Sequence, residues 1–239
     1  MNALSLLVLL ACWWLPPLVL ALALAVRGGA IAWRWFLAAM AAYGLYALAG
    51  YWTLPAGIDA LPPEARWLSR LAQLATGTVL VAMLWRRDPQ FTPERLGLTL
   101  RQAPGSLPWS LAGLAALVLL GLLPGGMEGA AAAPPGATGW LYHLTLPGIE
   151  EELMYRGLLL SLFAATLGGA RAWAAIMATL VFALAHGVTP GAQGIGVNYV
   201  MLGYTLVVGA ILAAMRLRSG SLLLPVLGHN LIGLAMRMG

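Results

Sequence analysis

Lysine is missing from this chain, and charge of either sign is scarce: 13 basic residues, all arginine, and 8 acidic ones make up 9% of its 239 residues. A soluble domain carries roughly 25% charged residues. A chain with so few cannot coat a water-facing surface of its size, which argues against the alternative of a soluble all-helical core. Cysteine is nearly absent as well. Cys12 stands alone inside an apolar run, so a disulfide or a thiolate metal cage within one chain is excluded. The net charge of +5 is scattered, with no basic stripe interleaved with aromatics, so the sequence contains no nucleic-acid surface. No Gly-x-Ser-x-Gly elbow, His-Glu-x-x-His pair or phosphate-binding glycine loop occurs. Internal repeats are absent too.

What is abundant is apolar: 61% of the residues are hydrophobic, in runs of about 20, the length one helix needs to cross a bilayer. Eight spans are expected, at 3–26, 33–53, 67–85, 108–124, 147–167, 172–187, 198–215 and 220–237. In lipid the backbone must satisfy its own hydrogen bonds, which selects helices, and the period-2 alternation of a barrel strand is missing. The expected fold is therefore all-α: a polytopic membrane bundle of about eight transmembrane helices, forming a single integral membrane domain over 1–239. Residues 3–26 carry no positive n-region and are long for a signal peptide, so they read as a retained first helix. Trp52, Trp67, Trp85, Trp109, Trp140 and Trp173 fall near span ends, as interfacial rings do; Trp13 and Trp14 break that pattern. Arg34 and Arg70 lie close enough to helix ends to snorkel.

Two connections are longer. Thr92-Pro93-Glu94, within 86–107, has the form of a helix start and predicts a short interfacial helix. Residues 125–138 are low-complexity and read as irregular loop. Arginines at 27 and 34, across 86–101, at 171, and at 216 and 218 fall on every second loop. The alternate loops hold Glu128, nothing charged, or the mixed set Asp59, Glu64 and Arg66. The positive-inside rule then places both termini outside, in what reads as a bacterial-type plasma membrane.

Three places after residue 147 carry the chemistry. Glu150, Glu151, Glu152 and Arg156 open an apolar helix. A charge at mid-helix costs about 2.5–3.5 kcal/mol on insertion scales, so a group this dense needs partners or a purpose. Glu152 and Arg156, spaced i,i+4, share a face and can pair. Glu151 points about 100° away, toward another neighbour, which leaves one carboxylate held and its neighbour free. A solvated helix start after Pro147-Gly148 is the plainer reading. His186 ends the sixth run and His229-Asn230 lies in the eighth; His143, the third histidine, has no assigned role. Two imidazoles and a carboxylate make an open three-ligand set for zinc or another divalent metal, whose bound water attacks a carbonyl. A second glutamate could serve as general base, and a histidine or Asn230 as oxyanion donor.

These residues resemble the CPBP intramembrane protease family, which includes the CAAX prenyl endopeptidases and bacteriocin-related members. Its Glu-Glu-x-x-x-Arg motif is matched by Glu151, Glu152 and Arg156, its Phe-x-x-x-His motif by Phe182 and His186, and its later histidine by His229. The resemblance covers about residues 145–235. It implies a site recessed in the bilayer that cuts peptide bonds near the C-termini of membrane-associated substrates, lipidated ones among them. Glu151 and His186 would activate the water, His229 would be ligand or oxyanion donor, and Arg156 would pair structurally with Glu152. A glutamate-only mechanism without metal uses the same residues. Gly233 stands where the family often has Asn, Asp or Ser, four residues after the last histidine. The rival reading is a non-catalytic membrane protein, a transporter, immunity or scaffold protein with a buried acid/histidine cluster. All of the unusual polar residues fall in one half of the chain, which favours a single site over a transporter's paired repeats.

Overall fold

The computed structural model describes residues 3–52, 63–123, 137–191 and 194–236, with backbone only at 3–5, 51–52, 63–66, 137–138 and 190–191. Asp59, Glu128 and nearly all of the 125–138 loop lie outside these residues. So do the side chains of Trp52, Glu64 and Arg66.

Among the described residues the apolar runs form eight helical rods. They are α1 (Ala3–Val26), α2 (Trp33–Trp52), α3 (Pro63–Arg87), α4 (Leu107–Gly121), then α5 (Ala137–Glu152) continuing through a π-helical segment (Leu153–Leu159) into α6 (Leu160–Thr166), followed by α7 (Arg171–Gly187), α8 (Tyr199–Ser219) and α9 (Leu223–Ala235). Three stretches, Leu6–Val26, Trp67–Arg87 and Tyr199–Ser219, are long and apolar enough to cross a bilayer; α4, α7 and α9 are shorter apolar helices. The chain is an all-α, multi-pass integral membrane protein. Its polarity is turned inside out. Leu15, Leu37, Val79, Leu111, Leu119 and Val207 are exposed, while Glu150, Glu151, Glu152 and Arg156 are buried. Apolar side chains need no burial when the surroundings are lipid, and charged ones do.

The sequence explains individual boundaries. Asn198 caps α8 by accepting the Met201 N–H at 2.9 Å, and Gly220, at φ +74°, closes it in the left-handed conformation with its N–H on the Arg216 carbonyl. Trp13 and Trp14, off-pattern as interfacial anchors, are core residues. They meet Tyr43, Phe36 and Phe163 edge-on at ring distances of 5.6–6.2 Å. Trp85, Trp109 and Trp173 are exposed near helix ends, and Arg218 lies 4.3 Å over the Trp109 ring.

Two expectations are corrected. The segment after Thr92 is one hydrogen-bonded turn and not an interfacial helix. Thr92 accepts the Arg95 N–H at 3.3 Å, but Gly97, at φ +82°, then turns the chain, and its carbonyl binds the Leu222 N–H at 2.9 Å. The all-helical picture also omits an antiparallel hairpin, β1 (Val188–Gly191) with β2 (Gly194–Val197), paired from Val188↔Val197 to Gly191↔Gly194. Pro190 cannot continue α7, and Gly194, at φ +123°, supplies the bend. The hairpin is tied down by Trp13, whose Nε1–H donates to the Val188 carbonyl at 3.1 Å.

The arginine-bearing connections gather at one end of the bundle. Ala32 N–H binds the Thr166 carbonyl at 2.9 Å, and Ala103 N–H binds that of Ser219 at 2.8 Å. The hairpin lies beyond the other end of α7.

Candidate functional site

The three glutamates sit at the C-terminal end of α5, against the π segment. A π turn adds a residue to the helical repeat and widens the backbone, and such segments recur at functional sites. Here Leu160 N–H reaches back to the Tyr155 carbonyl, five residues earlier. Glu150 and Glu151 share one cation, and Glu152 has partners of its own. Glu150 accepts from the Tyr46 hydroxyl and from Arg70 NH1 at 2.9 Å. Glu151 Oε1 accepts from the same Arg70 nitrogen at 2.6 Å. Glu152 Oε1 accepts from Arg156 NH1 and from His229 Nδ1, each at 2.8 Å.

Glu152 Oε2 and Glu151 Oε2 are both buried and make no hydrogen bond among the described residues; what sets Glu151 Oε2 apart is its surroundings. Two imidazoles face it: His186 Nε2 at 3.6 Å and His229 Nε2 at 3.7 Å. Their other nitrogens settle the tautomers. His186 Nδ1 lies 2.8 Å from the Phe182 carbonyl, which can only accept, so Nδ1 carries the proton. His229 Nδ1 likewise donates to the Glu152 carboxylate. In the neutral imidazoles both Nε2 atoms then present lone pairs to an unpartnered carboxylate oxygen. Three acceptors share one space and lack a donor, and a water, a proton or a cation would supply it.

That space opens on a cavity of about 250 Å³. Glu151 and His186 line it, with Arg70, Tyr46, Gln73 and Trp13 among the other walls. His229 reaches the same carboxylate oxygen from α9, and its side chain is only 14% exposed. Phe182 forms the floor behind the two histidines. Its ring lies 4.5 Å from His186 and 6.1 Å from His229, with the Arg156 guanidinium 4.3 Å from its centroid.

Not every expected site residue joins this group. Asn230 donates Nδ2 protons to the Leu144 and Thr145 carbonyls at 2.9 and 3.3 Å, and its Oδ1 accepts the Gly148 N–H at 2.9 Å. Both amide protons are committed to bracing α5 against α9, which leaves none for an oxyanion. Glu152 is turned away from the cavity and orients His229. Among the described residues nothing lies within contact of a Cβ placed at Gly233. His143 lies on α5 beside the Tyr142 ring.

Other partners were not expected. Arg70 does not snorkel; it bridges Glu150 and Glu151 from α3. Tyr46, Tyr43 and Tyr155 stack at the same level, with Tyr43 and Tyr155 hydroxyls 3.2 Å apart. The available signal was a lone arginine with an i,i+3 glutamine, Gln73, in a tryptophan-flanked span. That pattern is equally common at a membrane surface. Two glycines permit the close packing. A Cβ at Gly148 would collide with Asn230, and one at Gly209 would lie 3.0 Å from Phe182 and 3.2 Å from Arg156 NH2, which donates to the Gly209 carbonyl at 3.2 Å.

Zinc was the expected cofactor, held by Glu151, His186 and His229. The spacings of 3.6 and 3.7 Å are near the roughly 3.3–3.5 Å between ligands of a tetrahedral zinc ion with bonds of about 2.0–2.1 Å. Even so, no three His, Cys, Asp or Glu side chains among the described residues are arranged to hold a metal ion, and Arg70 already offsets the Glu151 charge.

Fold and site together define a polytopic helical membrane protein with a buried carboxylate–imidazole centre facing a cavity. Residues 133–235 match the model of the family described as Type II CAAX prenyl endopeptidase Rce1-like. No curated protein and no solved structure matches the chain.

Proposed function

We propose that the protein is an intramembrane endopeptidase in which Glu151 and His186 activate a water for attack on a peptide carbonyl of a membrane-associated substrate, CAAX-type substrates included. The observation that carries this reading is the unpartnered Glu151 Oε2, buried beside two imidazole lone pairs at 3.6 and 3.7 Å at the wall of a cavity. A separation of 3.6 Å lets one water, at ordinary bond lengths of about 2.8 Å, donate to both atoms. As its oxygen bonds to the carbonyl carbon, Glu151 takes a proton. That proton passes to the departing amine as the carbon–nitrogen bond breaks.

His229 has a different part. Glu152 accepts from its Nδ1, and Arg156 holds Glu152 in place. A protonated His229 would present an Nε2–H to the developing oxyanion, the role that Asn230 cannot fill. Arg70 stabilises the ionised form of Glu151 from its far oxygen. The peptide enters from the cavity floored by α2 and α3, and the arginine-rich end of the bundle faces the cytoplasm by the positive-inside rule.

The test is hydrolysis of a prenylated C-terminal peptide by the full chain in liposomes. Glu151→Gln and His186→Ala should each lower the rate by about 10²–10⁴-fold, the usual contribution of a general acid or base, with thermal stability near that of the parent. Undiminished turnover in both variants would refute the assignment of Glu151 and His186, whereas no hydrolysis by the parent chain would favour the non-catalytic reading. A chelator decides the metal question: loss of activity restored by zinc assigns Glu151, His186 and His229 as ligands, and unchanged activity leaves water alone.

A further inference from the structure

A second cavity, of about 430 Å³, lies at the opposite end of α7 from His186, about 22 Å away at 1.5 Å per residue. Its chemistry is the reverse of the first. Arg95, Arg171 and Arg216 line it with Gln90, Ser161 and Gly169, and no carboxylate is among its lining residues. The nearby Asp88 is turned to Gln90, accepting from its N–H at 3.0 Å and its side-chain amide at 3.1 Å.

Arg216 is 5% exposed and has no acidic partner among the described residues. Its NH2 donates to the Arg95 carbonyl at 2.7 Å, and its Nε is buried with no hydrogen bond among the described residues. Arg171 repels it and forms no ion pair with a described residue. Burying a guanidinium without a counter-charge is costly, and the exposed Arg171 beside it adds repulsion. The backbone points the same way. Helix α7 starts at this cavity with no capping side chain and no acid in its first turn, so its first N–H groups and its positive dipole end are uncompensated. Gly168 and Gly169, at φ +61° and +96°, bring bare backbone to the rim.

We propose that this cavity binds a phosphate-bearing anion between Arg171, Arg216 and the N-terminus of α7. Guanidiniums match phosphoryl oxygens in geometry and charge. A bound anion would satisfy the two cations and the helix end together. Two sources share this chemistry: the headgroup of an anionic phospholipid and free phosphate. Arginine-rich loops gather at this end of the bundle, where anionic headgroups are concentrated.

The experiment uses the delipidated full chain in detergent. Native mass spectrometry measures retention of dioleoyl phosphatidylglycerol against dioleoyl phosphatidylcholine, and thermal unfolding with inorganic phosphate tests the free anion. Phosphatidylglycerol should be preferred by about tenfold or more, a preference that Arg171→Gln and Arg216→Gln each remove and Arg101→Gln, an exposed arginine, keeps. Stabilisation by inorganic phosphate that competes with phosphatidylglycerol would identify free phosphate as a sufficient ligand; no effect of phosphate would identify the headgroup. Arg171 is exposed and forms no ion pair among the described residues, so its variant should fold even if Arg216→Gln does not. Equal retention of the two lipids with no phosphate effect, or binding by Arg171→Gln equal to the parent, overturns the proposal.

Discussion

The two halves of the chain look unequal in sequence and are jointly committed in space. Before residue 137 the helices are apolar with scattered arginines; after it come all three glutamates, both histidines of the centre and the family match at 133–235. The site nevertheless crosses that boundary. Arg70 and Tyr46 hold Glu150 and Glu151 from the first half, and Trp13 secures the hairpin next to His186. The second half supplies the proposed reacting groups, while the first supplies a counter-charge and most of the cavity wall. Three carboxylates face two guanidiniums there, and the remaining negative charge falls to a proton on an imidazole or to a bound cation.

Substitutions that remove one contribution at a time test this division. The largest stability effect belongs to Arg156→Ala. Both partners of its pair with Glu152 are fully buried, so the variant strands a carboxylate and should lose about 3–5 kcal/mol, measured by unfolding in detergent. Asn230→Ala should cost about 1–3 kcal/mol, because it leaves the Gly148 N–H and two carbonyls unpaired. Its turnover per folded molecule should hold, and a collapse of turnover would restore Asn230 to the oxyanion site. Arg70→Gln should cost about 1–3 kcal/mol, because it leaves the carboxylates of Glu150 and Glu151, 0% and 4% exposed, without their shared cation. It should also slow hydrolysis by about tenfold or more through the lost charge beside Glu151. Unchanged turnover would confine the first half to scaffolding. The smallest effect is expected for Gly233→Asn: the position is open, so stability should change by less than about 1 kcal/mol.

Much of the centre could be read in order along the chain, because a charge in an apolar helix is conspicuous wherever it lies. The i,i+4 spacing of Glu152 and Arg156 anticipated their pair, since that contact is local to one helix. The parting of Glu151 from Glu152 followed from helical geometry in the same way. Asn230 was misread because its neighbour His229 is in the centre, yet adjacent residues leave a helix about 100° apart. The hairpin was missed because Val188–Val197 is short and glycine-rich. Arg70 looked like a snorkelling residue because nothing within α3 reports what α5 presents to it.

Composition and periodicity by themselves determined that this protein crosses a membrane as helices, since burial in lipid rewards apolar runs of sufficient length whatever they pack against. They also determined which residues are too polar to be there by default. Only tertiary structure decided which of those residues meet, which oxygen lacks a partner, and that Arg95, Arg171 and Arg216 share a second cavity. Contacts between distant helices depend on the rotation and depth of each rod, and lipid-facing residues, all alike in preferring hydrocarbon, do not encode those.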